Sequence, residues 1–489
     1  MISDLSHNAG PTPLPHIPIL RQGVEYRSLD INPITRVNSD EPVGEMSMAN
    51  AGLLKRDLLS MKKARHALRE IPAADLVRMT KAAGDYFLHE KLPLGDGLQN
   101  PDDYLAQLHA TSGLPHALIR MNMKKLHQLF TEMDEVLNGL SRGLALDVLD
   151  EGIGEQAGVP VSFSPVTDSL GVVLPSNSPA VNALWMPAIL MKIPVVLKPG
   201  REEPWTPWRI IQAFLKAGVP KEAFSFYPTS HEGSQAIIRK CGRVMVFGDD
   251  KTVGQYANDR RVEVHGTGHT KILVGEDRID RWQDYLDVLV ESVSANSGRS
   301  CINASTIVVP RHGDAIARAL AEKLAEIRPL PAEDPDARLS GFANSAFADY
   351  IDAALSAGLK EPGARDVSAE VRGDGQPRRV QRDGMDYLLP TVVRLDSFDH
   401  ALANREFLFP FVQVIEMPQA DMLERLGYSL VVTAITDDPD WIPELLDCPD
   451  IERLNVGAFP TSRIQWNQPH EGNLFEFLYK RRAIHVAHA

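Results

Sequence analysis

Four short apolar runs, at 170–174, 193–197, 224–227 and 244–247, alternate with stretches of helical periodicity at 178–191, 207–217 and 231–240. Runs this short and apolar suit strands buried on both faces, and strands separated by whole helices pair in parallel through crossovers. This pattern constrains the chain more than any other. It predicts an α/β fold with a Rossmann-type, doubly wound sheet, the layout of nucleotide-binding domains, whose ligands sit off the carboxyl ends of the strands. A second alternating series follows, with strands at 271–274, 306–309, 389–395, 411–417 and 431–436 and helices at 280–295 and 315–327, so a second α/β domain is expected. A chain of 489 residues has room for two or three domains of ~150 residues.

The flanking segments read differently. Residues 1–45 are rich in Pro, Asn, Ser and Asp without apolar periodicity, which predicts an arm, with regular structure beginning near Ser47. The opening MISDLSHNAGPTPLPHIP lacks the basic start and apolar core of a signal peptide. From 53 to 92 and from 103 to 149, apolar residues recur at helical spacing among Lys, Arg and Glu, predicting amphipathic helices that cover a sheet. The Gly-, Arg- and Asp-rich stretch 362–386 reads as a surface insertion. The ending EFLYKRRAIHVAHA reads as a segment that crosses back or serves an interface.

Charge and cysteine usage remove several function classes. Sixty-five acidic against fifty-one basic side chains give a net −14, which repels phosphate backbones and anionic lipid surfaces. The longest apolar stretch, 183–197, is shorter than a membrane span and contains Pro187, Lys192 and Pro194. Cys241, Cys301 and Cys448 are too few and too scattered for a disulfide framework or a zinc site, which points to a reducing compartment, the cytoplasm. Neither nucleic acid, membrane nor metal is an expected partner.

Chemistry concentrates at a few places. The segment ANSGRSCINAST sets Cys301 on a small-residue loop before the strand at 306, where small neighbours admit a carbonyl to the sulfur and a loop amide or helix end would lower the thiol pKa. Taken alone, a single cysteine is more often inert core. Upstream, a strand runs into the turn PSNSP and aims Asn177 off its carboxyl end, either as an oxyanion donor or as an Asx turn. Lys198, closing VVLKPG, would reach a ribose or phosphate, although a lone lysine there is usually solvated. His265 and His269 stand four apart, but with glycines between them and no third ligand nearby they make a poor metal pair. Acting as a base or binding a substrate anion stays open for either.

In this order the segments resemble the aldehyde dehydrogenase family. NSGRSC is similar to its nucleophile loop Asn-x-Gly-Gln-x-Cys, with Asn296, Gly298 and Cys301 in matching places, and PSNSP to its Asn-containing turn. VLKPG resembles its Lys-Pro cofactor strand, FGDDKTVG its Phe-x-Gly-Ser-x-x-x-Gly helix start, and REFLFPFVQV its Glu-x-Phe-Gly-Pro-Val, which matches Glu406 to a ribose-binding acid. The likeness runs in unbroken order from about 170 to 456. It implies an arm over 1–45, a helical part with the NAD(P)-binding domain over 46–264, a catalytic domain over 265–455, and a C-terminal return or oligomerisation segment over 456–489. A homodimer or homotetramer is implied as well. The same resemblance implies Cys301 as nucleophile toward a small-molecule aldehyde, with Asn177 and the Cys301 amide as oxyanion hole. It places Pro175, Lys198, Arg201, Phe247, Gly248, Thr252, Glu406 and Phe409 around NAD or NADP.

Three departures stand out. Arg201 occupies the place three residues after Lys198 where the family usually has an acid, which favours a 2′-phosphate and hence NADP. The family's Glu-Leu-Gly-Gly-Lys appears as VEVHGTGHTKILV, where Glu263 is an approximate match for the water-activating acid and a count back from Ile272 lands on Val264. Finally, the run from 241 to 274, like LHATSGLPHALIRMNMKKL, resembles the fatty acyl-CoA reductase branch, whose exchange with coenzyme A needs no such acid. Three readings follow: oxidation of an aldehyde to a carboxylic acid through a thiohemiacetal and thioester on Cys301, acyl exchange with coenzyme A, or a non-catalytic scaffold. Cys301, Asn177, Lys198 and Glu406 together argue against the scaffold, which needs none of them. Phe163, Trp185, Phe459 and Trp466 are candidate apolar walls for the substrate.

Overall fold

The computed structural model describes residues 14–373 and 375–485, so the signal-peptide expectation for the first residues falls largely outside it. Both expected parallel sheets are present. In the first, Val262–His265, Arg243–Phe247, Leu170–Val173, Val195–Lys198 and Phe224–Phe226 lie side by side in that order, all parallel. Val195, Val196 and Leu197 have no exposed surface, as a central strand covered on both faces requires. The second sheet runs Ala364–Asp366, Thr391–Leu395, Phe411–Glu416, Thr306–Val309, Lys271–Val274, Ser429–Ile435, Ile451–Val456, parallel except for its first, edge strand.

Two expectations are corrected. Much of the supposed arm is built into the fold: Ile19–Arg21 pairs antiparallel with Phe224–Phe226 through Leu20 opposite Phe226, and Val24–Tyr26 closes that edge. His16–Ile17, Pro42–Ser47 and Ile31–Thr35 form a separate three-stranded sheet, and Ile17, Ile19 and Leu20 are buried. Strands of two to six residues cut by Pro15, Pro18, Gly23 and Pro33 are too short to show a period. Nor is 362–386 merely a surface insertion. Ala364–Asp366 extends the second sheet, and Arg378, buried, pairs with Asp352 and Asp366 at 2.7 Å each.

The amphipathic region folds as expected into helices, among them Ala73–His89, Pro101–Ser112 and His116–Thr131. Pro101–Ser112 starts where its sequence says it should: Asn100 accepts from the Asp103 amide and Asp103 from the Asn100 amide, both at 2.9 Å, with proline at the first helical position. Arg209, buried on Trp205–Lys216, donates to the carbonyls of Phe87, Glu90 and Gln99 at 2.9, 2.8 and 3.1 Å and so ties this helical layer to the first sheet. At the other end of the chain Tyr479–Arg482 crosses back to pair with Val159–Pro165, which pairs in turn with Ile153–Gln156. No helix among the described residues is long and apolar enough to cross a membrane.

Candidate active site

A cavity of about 840 Å³ opens where the carboxyl ends of Leu170–Val173, Arg243–Phe247 and Val262–His265 face the segments that enter the second sheet, Cys301 ahead of Thr306–Val309 and Glu406 ahead of Phe411–Glu416. Of the residues singled out from sequence, Pro175, Asn177, Phe247, Gly248, Cys301 and Glu406 line it. The sequence separations are large, and the two sheets bring these residues together.

The nucleophile loop is held in an uncommon backbone. Asn296, Ser297 and Gly298 have φ of 49°, 60° and 65°, three consecutive left-handed residues, two of which carry side chains. Such strain persists only where neighbours over-determine it. Here the Asn296 side chain accepts from Asn122 Nδ2 at 2.9 Å and donates to Ser178 and Ser300 at 3.2 and 3.1 Å, while Ser297 Oγ accepts from the Ser340 amide at 2.8 Å. At Gly298 any Cβ would lie 2.4 Å from the Phe409 carbonyl carbon, so the loop packs directly on the segment that carries Glu406.

The environment of Cys301 corrects another expectation. Burial, followed by the charges of Glu471 and Glu406, pushes its thiol well above the ordinary cysteine range, against smaller help from its own and the Ile302 amide. The resting group is therefore a thiol, and its chemistry needs a proton acceptor. Asn177 sits beyond the strand end as expected, but its Nδ2 donates to the Arg299 carbonyl at 2.9 Å and its Oδ1, buried, has no partner. Burial pushes the Glu406 carboxyl up to about 8, although the His269 amide donates to it at 2.8 Å.

Five predicted residues are not in the cavity wall. Lys198 ends its strand largely buried, its ammonium pushed down by desolvation against the charge of Glu202. Arg201 is exposed. The Thr252 amide donates to Asp249 at 2.8 Å, and Phe409 turns into a stack with Phe411 at 5.9 Å. Glu263 faces a small neighbouring cleft beside Leu140 and Trp466. The reason is register: sites of such sheets lie at strand ends, and Glu263 stands two residues short of the end, which His265 occupies. Laying Glu-Leu-Gly-Gly-Lys over His265–His269 keeps a glycine at Gly268 and puts His265, not Val264 or Glu263, at the acid's place. Of the aromatic candidates, Trp466 lines the cavity, Trp185 is core, Phe163 packs on Phe475 at 5.1 Å, and Phe459 is partly exposed.

Sequence reasoning missed Glu471, which lines the cavity from the C-terminal segment and hydrogen bonds His265 Nδ1 across 206 residues of chain. No local pattern in QPHEGN announces it. Burial pulls the His265 ring down, but the charge of Glu471 and hydrogen bonds to Glu263 and Glu471 outweigh that and hold it up at about 10, so the ring is a cation at neutral pH. Among the described residues no group of three His, Cys, Asp or Glu side chains is arranged to hold a metal.

Comparison with known proteins shows the family and the fold. A sequence profile described as "Aldehyde dehydrogenase family" matches residues 34–428, and the chain belongs to that family. It is 27% identical over 321 residues to an N-succinylglutamate 5-semialdehyde dehydrogenase of Chromohalobacter salexigens, covering 62% of this chain and 61% of that protein. The chain thus matches about three-fifths of the length of that curated relative. Among solved structures, an NAD-dependent aldehyde dehydrogenase from Sinorhizobium meliloti superposes with a TM-score of 0.75 at 17% identity, covering 97% and 95% of the two chains. A glyceraldehyde-3-phosphate dehydrogenase of Methanocaldococcus jannaschii complexed with NADP gives 0.74 at 13%, covering 92% and 97%. At such identities the structural likeness speaks for the fold.

Proposed function

We propose that this chain oxidises an aldehyde to a carboxylic acid with NAD or NADP, through a thiohemiacetal and then a thioester on Cys301. The observation that carries the reading is the locked loop that presents Cys301 inside the inter-sheet cavity with Asn177 and Glu406. Family membership and relatives named as semialdehyde dehydrogenases support it, and they do not favour the coenzyme A and scaffold readings.

The residues present fit a dinucleotide. Glu406 offers a carboxyl for a ribose, the buried Asn404 Oδ1 and His269 Nδ1 line the same cavity without partners, and Lys198 stands at the neighbouring strand end. NAD or NADP, when bound, supplies the hydride acceptor. The chain supplies the rest. Cys301 Sγ gives up its proton to solvent water in the cavity and bonds to the aldehyde carbon, while the Cys301 amide and Asn177, once its Nδ2 is released from Arg299, stabilise the oxygen that gains charge. After oxidation the acyl group remains on Sγ until water cleaves it. Arg201, standing where an acid is usual, supports a preference for NADP.

The assembly we propose is a homodimer or homotetramer, supported by Ile153–Gln156, an edge strand that leaves Ile153 39% exposed. Three free cysteines suit a reducing compartment such as the cytoplasm.

The test is absorbance at the reduced-nicotinamide band with a panel of aldehydes and NAD or NADP, each with and without coenzyme A. Signal without coenzyme A is expected. A signal strictly dependent on coenzyme A would overturn release to water, and silence throughout would remove the dehydrogenase reading.

A further inference from the structure

Three ionisable side chains, His265, Glu263 and Glu471, are hydrogen bonded to one another at the cavity's edge and take no part in the steps above. His265 closes the strand Val262–His265, buried, with its ring stacked on Phe247 at 4.4 Å and 12°. Its Nδ1 hydrogen bonds Glu471 and its Nε2 hydrogen bonds Glu263 at 3.2 Å. With both ring nitrogens occupied by carboxylates, the imidazole has neither a lone pair nor a free proton to offer the cavity. The two carboxylates are not equivalent. Glu471 lines the cavity with Cys301, and its charge reaches the Cys301 thiol, whereas Glu263 lies against the smaller cleft.

We propose that Glu471, delivered by the C-terminal segment, is the proton acceptor for the water that cleaves the Cys301 thioester, with His265 as the positioning residue and Glu263 fixing the far side of its ring. This rests on the function proposed above. In the step, Glu471 takes a proton from water as the water oxygen bonds to the thioester carbon and the carbonyl pair moves onto its oxygen. Collapse re-forms the carbonyl and breaks the C–S bond. Cys301 leaves as thiolate and recovers its proton from Glu471, so one water and one thioester give one carboxylic acid and one thiol. The His265 cation stacked on Phe247 aligns the carboxylate and keeps it from turning away. The titratable groups around Glu471 are His265 and, across the ring, Glu263 from the strand, Cys301 from its loop, Tyr428 ahead of Ser429–Ile435, and His470 beside it.

The experiment uses the full chain with the aldehyde and nicotinamide that give the strongest wild-type signal. Glu471→Gln should keep a rapid burst of about one reduced nicotinamide per site and then turn over ~100-fold slower, the scale of one general base. His265→Gln should keep the burst and slow the steady rate several-fold, less than Glu471→Gln does, because His265 aligns the carboxylate without itself accepting the proton. A steady rate for Glu471→Gln within about threefold of wild type overturns the proposal, as does loss of the burst in a variant whose circular dichroism is native. Alkylation of Cys301 by iodoacetamide at pH 7, followed by mass spectrometry, is read independently of turnover. Removing a nearby negative charge should make Glu471→Gln alkylate several-fold faster. Equal alkylation rates contradict the placement of Glu471 beside Cys301. If no aldehyde is turned over by the wild type while alkylation still accelerates, it is the proposed function that fails and the Glu471 placement that stands.

Discussion

Replacing Gly268 by alanine should displace the nucleophile without altering any reacting group. A methyl at that position would meet the Cys301 carbonyl oxygen at 2.0 Å, its carbonyl carbon at 2.8 Å and its Cβ at 3.1 Å. Ordinary contact begins at 3.4 Å, so relief of the 2.0 Å contact needs about 1.4 Å, shared between the two backbones. Neither side yields freely. Gly268 accepts from the Leu430 amide at 2.8 Å, and the Cys301 carbonyl accepts from Thr270 Oγ1 at 2.8 Å. Overpacking of this kind costs ~1–3 kcal/mol of stability. A displacement of about 1 Å at the reacting atom costs on the order of 100-fold in rate. The assay is kcat/KM for the best aldehyde together with the urea unfolding midpoint. Gly97→Ala is the control, because it lies outside the cavity and a Cβ there would meet the Leu94 carbonyl oxygen at 3.8 Å, an ordinary contact. A Gly268→Ala enzyme within about threefold of wild type, with an unchanged midpoint, would refute the claim that this contact sets the position of Cys301.

Three further outcomes are expected. Cys301→Ala should abolish turnover while nicotinamide binding, followed by fluorescence titration, stays nearly unchanged; sustained turnover would remove the covalent route. Glu203, buried, has its carboxyl pushed by burial from 4.5 to about 8 despite hydrogen bonds from Thr206, so the folded chain holds a proton that the unfolded chain releases. That contribution is fully present below about pH 4.5 and is lost as pH rises through about 8. Glu203→Gln should therefore gain on wild type by a few kcal/mol between pH 5 and pH 9, read as the difference in urea midpoints; a pH-independent difference would contradict it. Arg209→Met leaves the carbonyls of Phe87, Glu90 and Gln99 without their donor and should cost ~3 kcal/mol or more, with Arg209→Lys giving little rescue because an ammonium lacks the planar fork; full stability in either variant would count against this tie.

What the sequence revealed follows from how locally each feature is encoded. The central strands were legible because Val-Val-Leu and Val-Met-Val runs are apolar on both faces, and Pro101–Ser112 because its cap is written within four residues. Cys301, Asn177 and Glu406 were legible as motifs, and the structure places all three on one cavity. The strands before Ser47 were not, since their pairing partners lie as far off as Phe226 and the runs are two to six residues long, broken by Pro15, Pro18, Gly23 and Pro33. The site's least legible part is the Glu263–His265–Glu471 group. Alternation along a strand puts Glu263 and His265 on one face but does not say which reaches the end, and Glu471 joins them only through tertiary packing.

The most direct test of the account is the mass of the Cys301 peptide after acid quench of the enzyme in steady turnover with aldehyde and NAD or NADP. The account predicts a fraction of Cys301 heavier by the aldehyde less two hydrogen atoms, and a larger fraction in Glu471→Gln. Cys301 left unmodified in both proteins while reduced nicotinamide accumulates would contradict a covalent thioester on this residue.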